Sequence, residues 1–156
     1  MIRFAVFLVV FLFGCAHSGT ARMSIADEVW EAVWLEGMEL PANPEASRAI
    51  SLRLMDGRVQ GYGGCNWIAG GYRLEGSQLT FSGLASTRRA CLAGMEREDA
   101  FLKALEKASA WGREGDLLHL YGSGGKLLLK MEAVKDPERL KSLLPPGSKQ
   151  KYSPGN

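Results

Sequence analysis

The residues able to do chemistry in this 156-residue chain are few. There are three cysteines, Cys15, Cys65 and Cys91, and two histidines, His17 and His119. Cys65 is followed by Asn66 in the run Gly61-Tyr62-Gly63-Gly64-Cys65-Asn66, and Cys91 closes Thr87-Arg88-Arg89-Ala90-Cys91, with Glu98 shortly after. A metal site needs ligands at close, regular spacing, and two cysteines with distant histidines do not provide it, so no metal is expected. A redox pair needs a close-spaced motif or a depressed thiol pKa, and neither is visible. Ser/His/Asp catalysis fails on inventory, because His119 lies inside Leu117-Leu118-His119-Leu120-Tyr121 with no nucleophile motif near it. Glu98 has no identifiable partner for general acid or base work. Gly61-x-Gly63-Gly64 is a weak phosphate signal, since no helix follows to offer its N-terminus. The expectation is therefore a non-enzyme without cofactor. Net charge is +2, with no basic stripe interleaved with aromatics, which argues against nucleic acid.

The N-terminus sets the compartment. Residues 4–13 are an uncharged apolar run behind Arg3. A spanning helix needs about 20 apolar residues, and this run is half as long, as in the apolar core of a signal peptide. It leads into Leu12-Phe13-Gly14-Cys15, which resembles the lipobox of bacterial lipoproteins, with Phe13 bulkier than that pattern prefers. The resemblance implies a signal peptide over 1–14, a diacylglyceryl group on the Cys15 thiol, cleavage before it and acylation of the new amine. Several acyl chains hold a protein firmly where one does not. Residues 15–28 are then a small, polar, lipidated tether. Ala16 stands where many inner-membrane lipoproteins carry aspartate, so the resemblance points to the outer membrane, facing the periplasm. The alternatives are a secreted protein cut near Gly19 and a buried N-terminal strand. With Cys15 lipidated, Cys65 and Cys91 are left in an oxidising compartment and are expected to pair. The closed loop would contribute about 3 kcal/mol. Two buried free thiols are the other reading.

These residues must be positioned by mostly extended elements. Residues 48–55 alternate, with Ile50, Leu52 and Leu54 on one side and Ser51 and Arg53 on the other, which predicts a half-buried strand. Asp56-Gly57 is a hairpin signal, and Arg58 to Tyr62 returns. Further strands are expected over 68–74 and 79–81, the latter ended by Gly83. Residues 95–108 change to helical spacing, with Met95, Phe101, Leu102 and Leu105 on one face and Gly94 at the start. Leu117–Tyr121 and Lys126–Met131 form a last hairpin. Asp136-Pro137 reads as a cap and first turn for a short helix over 139–144, followed by a disordered tail. The organisation is a body over 29–134 and a short helix plus tail over 135–156. Seven or eight strands with one inserted helix give an α+β, mainly β fold: a curved antiparallel sheet or a partly open, lipocalin-like barrel with one packed helix.

Trp34-Leu35, the Gly-Cys-Asn at Gly64–Asn66, Gly70-Gly71-Tyr72, Thr87-x-x-x-Cys91, and then Met95, Glu98, Phe101 and Leu105 together resemble the META domain (HslJ-like) family over residues 30–132. Trp67 and Leu92 depart mildly from the pattern. The resemblance implies a curved sheet with a packed helix and no established catalysis. It singles out Asn66, Tyr72, Thr87, Arg88 and Glu98 as a binding or structural motif. Asn66 is expected either to offer amide contacts in a binding loop or to bond backbone groups at a sheet corner. Glu98 is read as a buried anchor for that loop. Arg88 and Arg89 suit an anion or headgroup, a solvated surface, or a pair with Glu98. The four tryptophans are read as core and rim, or as the lining of an apolar pocket. Two functions follow: a membrane-anchored envelope module binding a protein partner, with a role under stress, or a carrier of a lipid or small apolar ligand in a barrel-like interior.

Overall fold

A computed structural model describes residues 24–41 and 48–145. The expected signal peptide over 1–14, the expected lipidation at Cys15, most of the expected tether and the tail beyond Pro145 lie outside the described residues. Nine strands form one antiparallel sheet: β1 Val29–Leu35, β2 Met38–Glu39, β3 Ser51–Met55, β4 Arg58–Tyr62, β5 Trp67–Glu75, β6 Gln78–Ser86, β7 Ala110–Glu114, β8 Leu117–Tyr121 and β9 Leu127–Ala133. Two α-helices, α1 Met95–Lys107 and α2 Pro137–Leu143, and a short 3-10 turn at Ser123–Gly125 complete the elements among the described residues. The order is β2-β1-β3-β4-β5-β6-β7-β8-β9, and β1 also pairs with β9, so the sheet curls into a ring.

The alternation read in the sequence decides which side faces in. Leu52, Leu54, Val59, Ile68, Leu118 and Leu129 are at most 3 % exposed and share one core. Along β3 and β4 the intervening residues, such as Arg53, Arg58 and Gln60, point outward, while a register shift against β8 lets both Leu128 and Leu129 of β9 join the core. A bulge in β1 between Ala32 and Trp34 resets this phase, leaving Trp34 under Lys130 on the outside and Leu35 in the core.

The ring has one weak joint. β6 and β7 meet only at Gln78 and Ala110, flanked by backbone bonds from Leu79 N–H to Ser109 O (3.2 Å) and from Trp111 N–H to Ser77 O (2.9 Å). The segment between them in sequence is α1, which packs on β6 and reaches β1. Its apolar face delivers Phe101, Ala104 and Leu105 fully into the core. The molecule is thus ring-like rather than a closed barrel, with a helix where the sheet opens.

Three expectations are corrected. The strand expected to stop at Gly83 continues to Ser86, because Gly83 (φ 59) sits in a bulge between the Ala69–Ala85 and Gly71–Ser82 pairs instead of ending the ladder. A two-residue strand, β2, was not anticipated. Packing also begins ahead of residue 29: Ile25 is fully buried, its carbonyl accepts from Trp30 Nε1 (3.0 Å), and Arg113 clamps Ser24 and Glu28. The short C-terminal helix forms as the sequence suggests, with the Asp136 side chain accepting from Arg139 N–H (2.7 Å) and Pro137 at its first turn.

Candidate functional site: the Asn66 corner

Between β4 and β5 the chain turns through Gly63, Gly64, Cys65 and Asn66, and the start of α1 is pressed against this corner. Two glycines make the approach feasible. A Cβ on Gly63 would stand 2.7 Å from Glu98 Cγ. A Cβ on Gly94 would stand 2.5 Å from the Gly64 carbonyl oxygen, and Gly94 (φ 95) also caps α1 in the left-handed region that L side chains resist.

Into that space Glu98 projects from the first turn of α1, 6 % exposed, against Asn66 at 4 %. Glu98 Oε2 accepts from the Asn66 backbone N–H (2.5 Å), and Oε1 accepts from Asn66 Nδ2 (3.0 Å). Asn66 Nδ2 also faces the Arg89 carbonyl (3.3 Å). Asn66 Oδ1 accepts from Arg89 N–H (2.8 Å) and from Thr87 Oγ1 (3.1 Å). Thr87 Oγ1 in turn accepts from Trp67 N–H (3.2 Å). A disulfide joins Cys65 to Cys91 with Cα atoms 5.9 Å apart, so the 87–91 segment is held to the corner covalently as well.

A neutral amide can make two donations and accept twice, and Asn66 does all four. The buried carboxylate of Glu98 receives charge-assisted bonds, which are about twice as strong as neutral ones. The corner is therefore a brace. It fixes β4, β5, the 87–91 segment and α1 relative to one another, and no polar atom of Asn66 is left over for a ligand. Of the two readings of Asn66, the geometry is that of the backbone-bonding corner, and Glu98 is the anchor. Glu98 bonds Asn66, not Arg88 or Arg89.

The remaining motif residues do not converge here. Arg88 is exposed and Arg89 contributes its backbone. Tyr72 stands opposite Phe81 in the β5–β6 ladder, half-buried against the core. The tryptophans separate too. Trp30 is core, Trp111 is a rim residue donating to Gly76 O (2.9 Å), and Trp67 lies outside under the Arg48 guanidinium at 4.8 Å. Concave surface occurs on the outer face of β4–β6: an open groove of 610 Å³ along Gly57, Gln60, Gly71 and Ser82, and a more apolar one of 330 Å³ beside Trp67, Ala85 and Pro145.

Sequence reasoning missed a second buried polar group. Glu31 on β1, 7 % exposed, receives Arg139 Nε (2.8 Å) and Nη2 (2.5 Å) from α2. The hydrogen bonds that Arg139 donates to Glu31, together with the carboxylate's charge, raise the Arg139 pKa above the ordinary arginine value, against the opposing effect of burial. The pair spans 108 positions, so no local spacing announces it. Among the described residues no three His, Cys, Asp or Glu side chains cluster to hold a metal.

The sheet order, the inserted helix and the Asn66–Glu98 brace define a class of small, mainly antiparallel domain. The META domain pattern matches residues 23–135, most of the chain, and the chain belongs to the META domain family. Its fold is similar to the NMR structure of a protein from Burkholderia xenovorans (TM-score 0.58, 25 % identity, 72 % of this chain and 85 % of that one). It is also similar to the crystal structure of a DUF4847 family protein from Bacteroides vulgatus (TM-score 0.51, 16 % identity, 72 % and 96 %), where the likeness is of fold alone. No curated protein matches the chain.

Proposed function

We propose that this chain is a membrane-anchored envelope lipoprotein, lipidated at Cys15, whose META domain is a non-enzymatic partner-binding module facing the periplasm from the outer membrane. The observation that carries the non-enzymatic part is the closed accounting at Asn66: the side chains of Asn66, Thr87 and Glu98 are spent on one another and on neighbouring backbone. A role under envelope stress belongs to the same reading. The anchoring part rests on the lipobox-like Leu12–Cys15 and the short apolar run before it.

Mass analysis of the native mature protein tests the anchor: acyl mass on an N-terminal Cys15 is expected, and Cys15→Ala should release the domain into the soluble fraction. An unmodified residue 15 ends the location claim. A second reading, carriage of an apolar ligand, draws on the 330 Å³ groove beside Trp67. It does not draw on the ring interior, which Trp30, Phe101 and Leu120 fill at 0 % exposure. Co-purified lipid in native mass spectrometry, lost on Trp67→Ala, would favour it.

A further inference from the structure

Helix α2 lies beyond the residues that match the family, which end at 135, yet it is seated on the family's sheet. The chain leaves β9 with Val134 N–H bonded to Val29 O (2.9 Å) and crosses the outer face of the ring as a strap. Leu140 and Leu143 join Val29 and Ala49 in a small apolar cluster separate from the main core. Arg139 forks onto Glu31 of β1. Pro145 then stands by Gln60 and Trp67 on β4 and β5.

The fit beneath the strap is incomplete in a specific way. On β3, Ser51 and Arg53 alternate with the core residues Leu52 and Leu54 and so point outward, yet they are 1 % and 7 % exposed. Ser51 pairs across from Glu31, and Arg53 across from Val29, the two residues that α2 engages. Ser51 Oγ and Arg53 Nε have no hydrogen-bond partner among the described residues. A buried donor left unpaired weakens whatever covers it. This cover satisfies the Glu31 carboxylate and the apolar pair Val29 and Ala49, and leaves the hydroxyl and the guanidinium nitrogen next to them unanswered.

We propose that the outer face of β1 and β3 is a docking site for a short amphipathic helix carrying Arg-Leu-x-x-Leu, with α2 as its resident occupant, and that a partner helix of this chemistry displaces α2. The site selects by charge and shape together. Glu31 demands a cation at one position, and Val29 with Ala49 takes two leucines three apart, as Arg139, Leu140 and Leu143 supply them. A partner outcompetes the strap by adding an acceptor, a carboxamide or carboxylate, that reaches Arg53 Nε. This deepens the partner-binding reading and is independent of Cys15.

The test releases the strap in the chain from position 15 with Cys15→Ser, so that no acyl chain takes part. In a Leu140→Asp, Leu143→Asp variant, a synthetic peptide of residues 134–145 should bind at least about tenfold more tightly than it binds the chain with its own α2 intact. Adding Glu31→Ala should remove that gain. Equal binding to both chains, binding to neither, or binding indifferent to Glu31 overturns the proposal. Hydrogen exchange on the unsubstituted chain covers the case of a misfolded variant. The Leu140 and Leu144 amides should exchange at least about 100-fold faster than those of β3; equal protection overturns the proposal. Failure here leaves the Cys15 anchor standing, and an unlipidated Cys15 leaves this site standing.

Discussion

The two helices sit on opposite sides of one sheet and meet it by opposite logic. Helix α1 enters where the ring opens, with Phe101, Ala104 and Leu105 in the main core and Glu98 in a knot whose donors and acceptors are matched around Asn66. Helix α2 lies on the outside, its Leu140 and Leu143 set against Val29 and Ala49, with Glu31 matched by Arg139 but Ser51 Oγ and Arg53 Nε unmatched among the described residues. Each contact contains a buried carboxylate and a helical turn. The difference is completeness: a fully paired buried network holds one arrangement, while a partly paired one is the place where a structure gives way first.

The contrast can be broken most directly at Glu98. Glu98→Ala strips the Asn66 N–H and one amide hydrogen of their acceptor in a buried place, and should cost about 3 kcal/mol in equilibrium denaturation. A loss below about 1 kcal/mol would mean the brace is dispensable. Reducing the Cys65–Cys91 disulfide should cost a comparable amount, about 3 kcal/mol, read as a drop in Tm with and without reductant. Gly63→Ala forces Glu98 aside and should cost about 2 kcal/mol. On the outer face the effects shrink. Leu140→Ala should cost only about 1–2 kcal/mol, below the range for a core leucine, and should speed exchange in α2 while leaving β3 unchanged. Ser51→Ala removes an unpaired hydroxyl and should be neutral or stabilising by up to about 1 kcal/mol. A loss instead would reveal an acceptor for that hydroxyl and weaken the case for a displaceable strap.

Much of the inner architecture was legible because it is written in local rules. The period-two run around Leu52 and Leu54 gave β3, and Asp56-Gly57 gave its turn, with φ of 51° and 75°. Phe101 and Leu105 gave the buried side of α1. Gly83 misled because a glycine with positive φ marks a strand end and a strand bulge equally well, and only the partner strand distinguishes them. Ile25 misled because a single isoleucine among small polar residues has no period to read, and its burial depends on Trp30 and Arg113. The corner's residues came from the resemblance, not from spacing: nothing in the interval between Asn66 and Glu98 says that one bonds the other. Glu31–Arg139 and the β1–β9 closure join the two ends of the described fold, and contacts of that separation leave no local signature.

Strand β1 is laddered on both sides, to β3 and to β9, and its entry is stapled where Arg113 grips Ser24 and Glu28. Hydrogen bonds in such ladders run perpendicular to the strand. A tug arriving at Ser24 along the chain therefore loads two ladders in shear, many rungs at once, instead of peeling them one by one. The first strand of the described residues therefore meets tension from that side with its β3 and β9 ladders together.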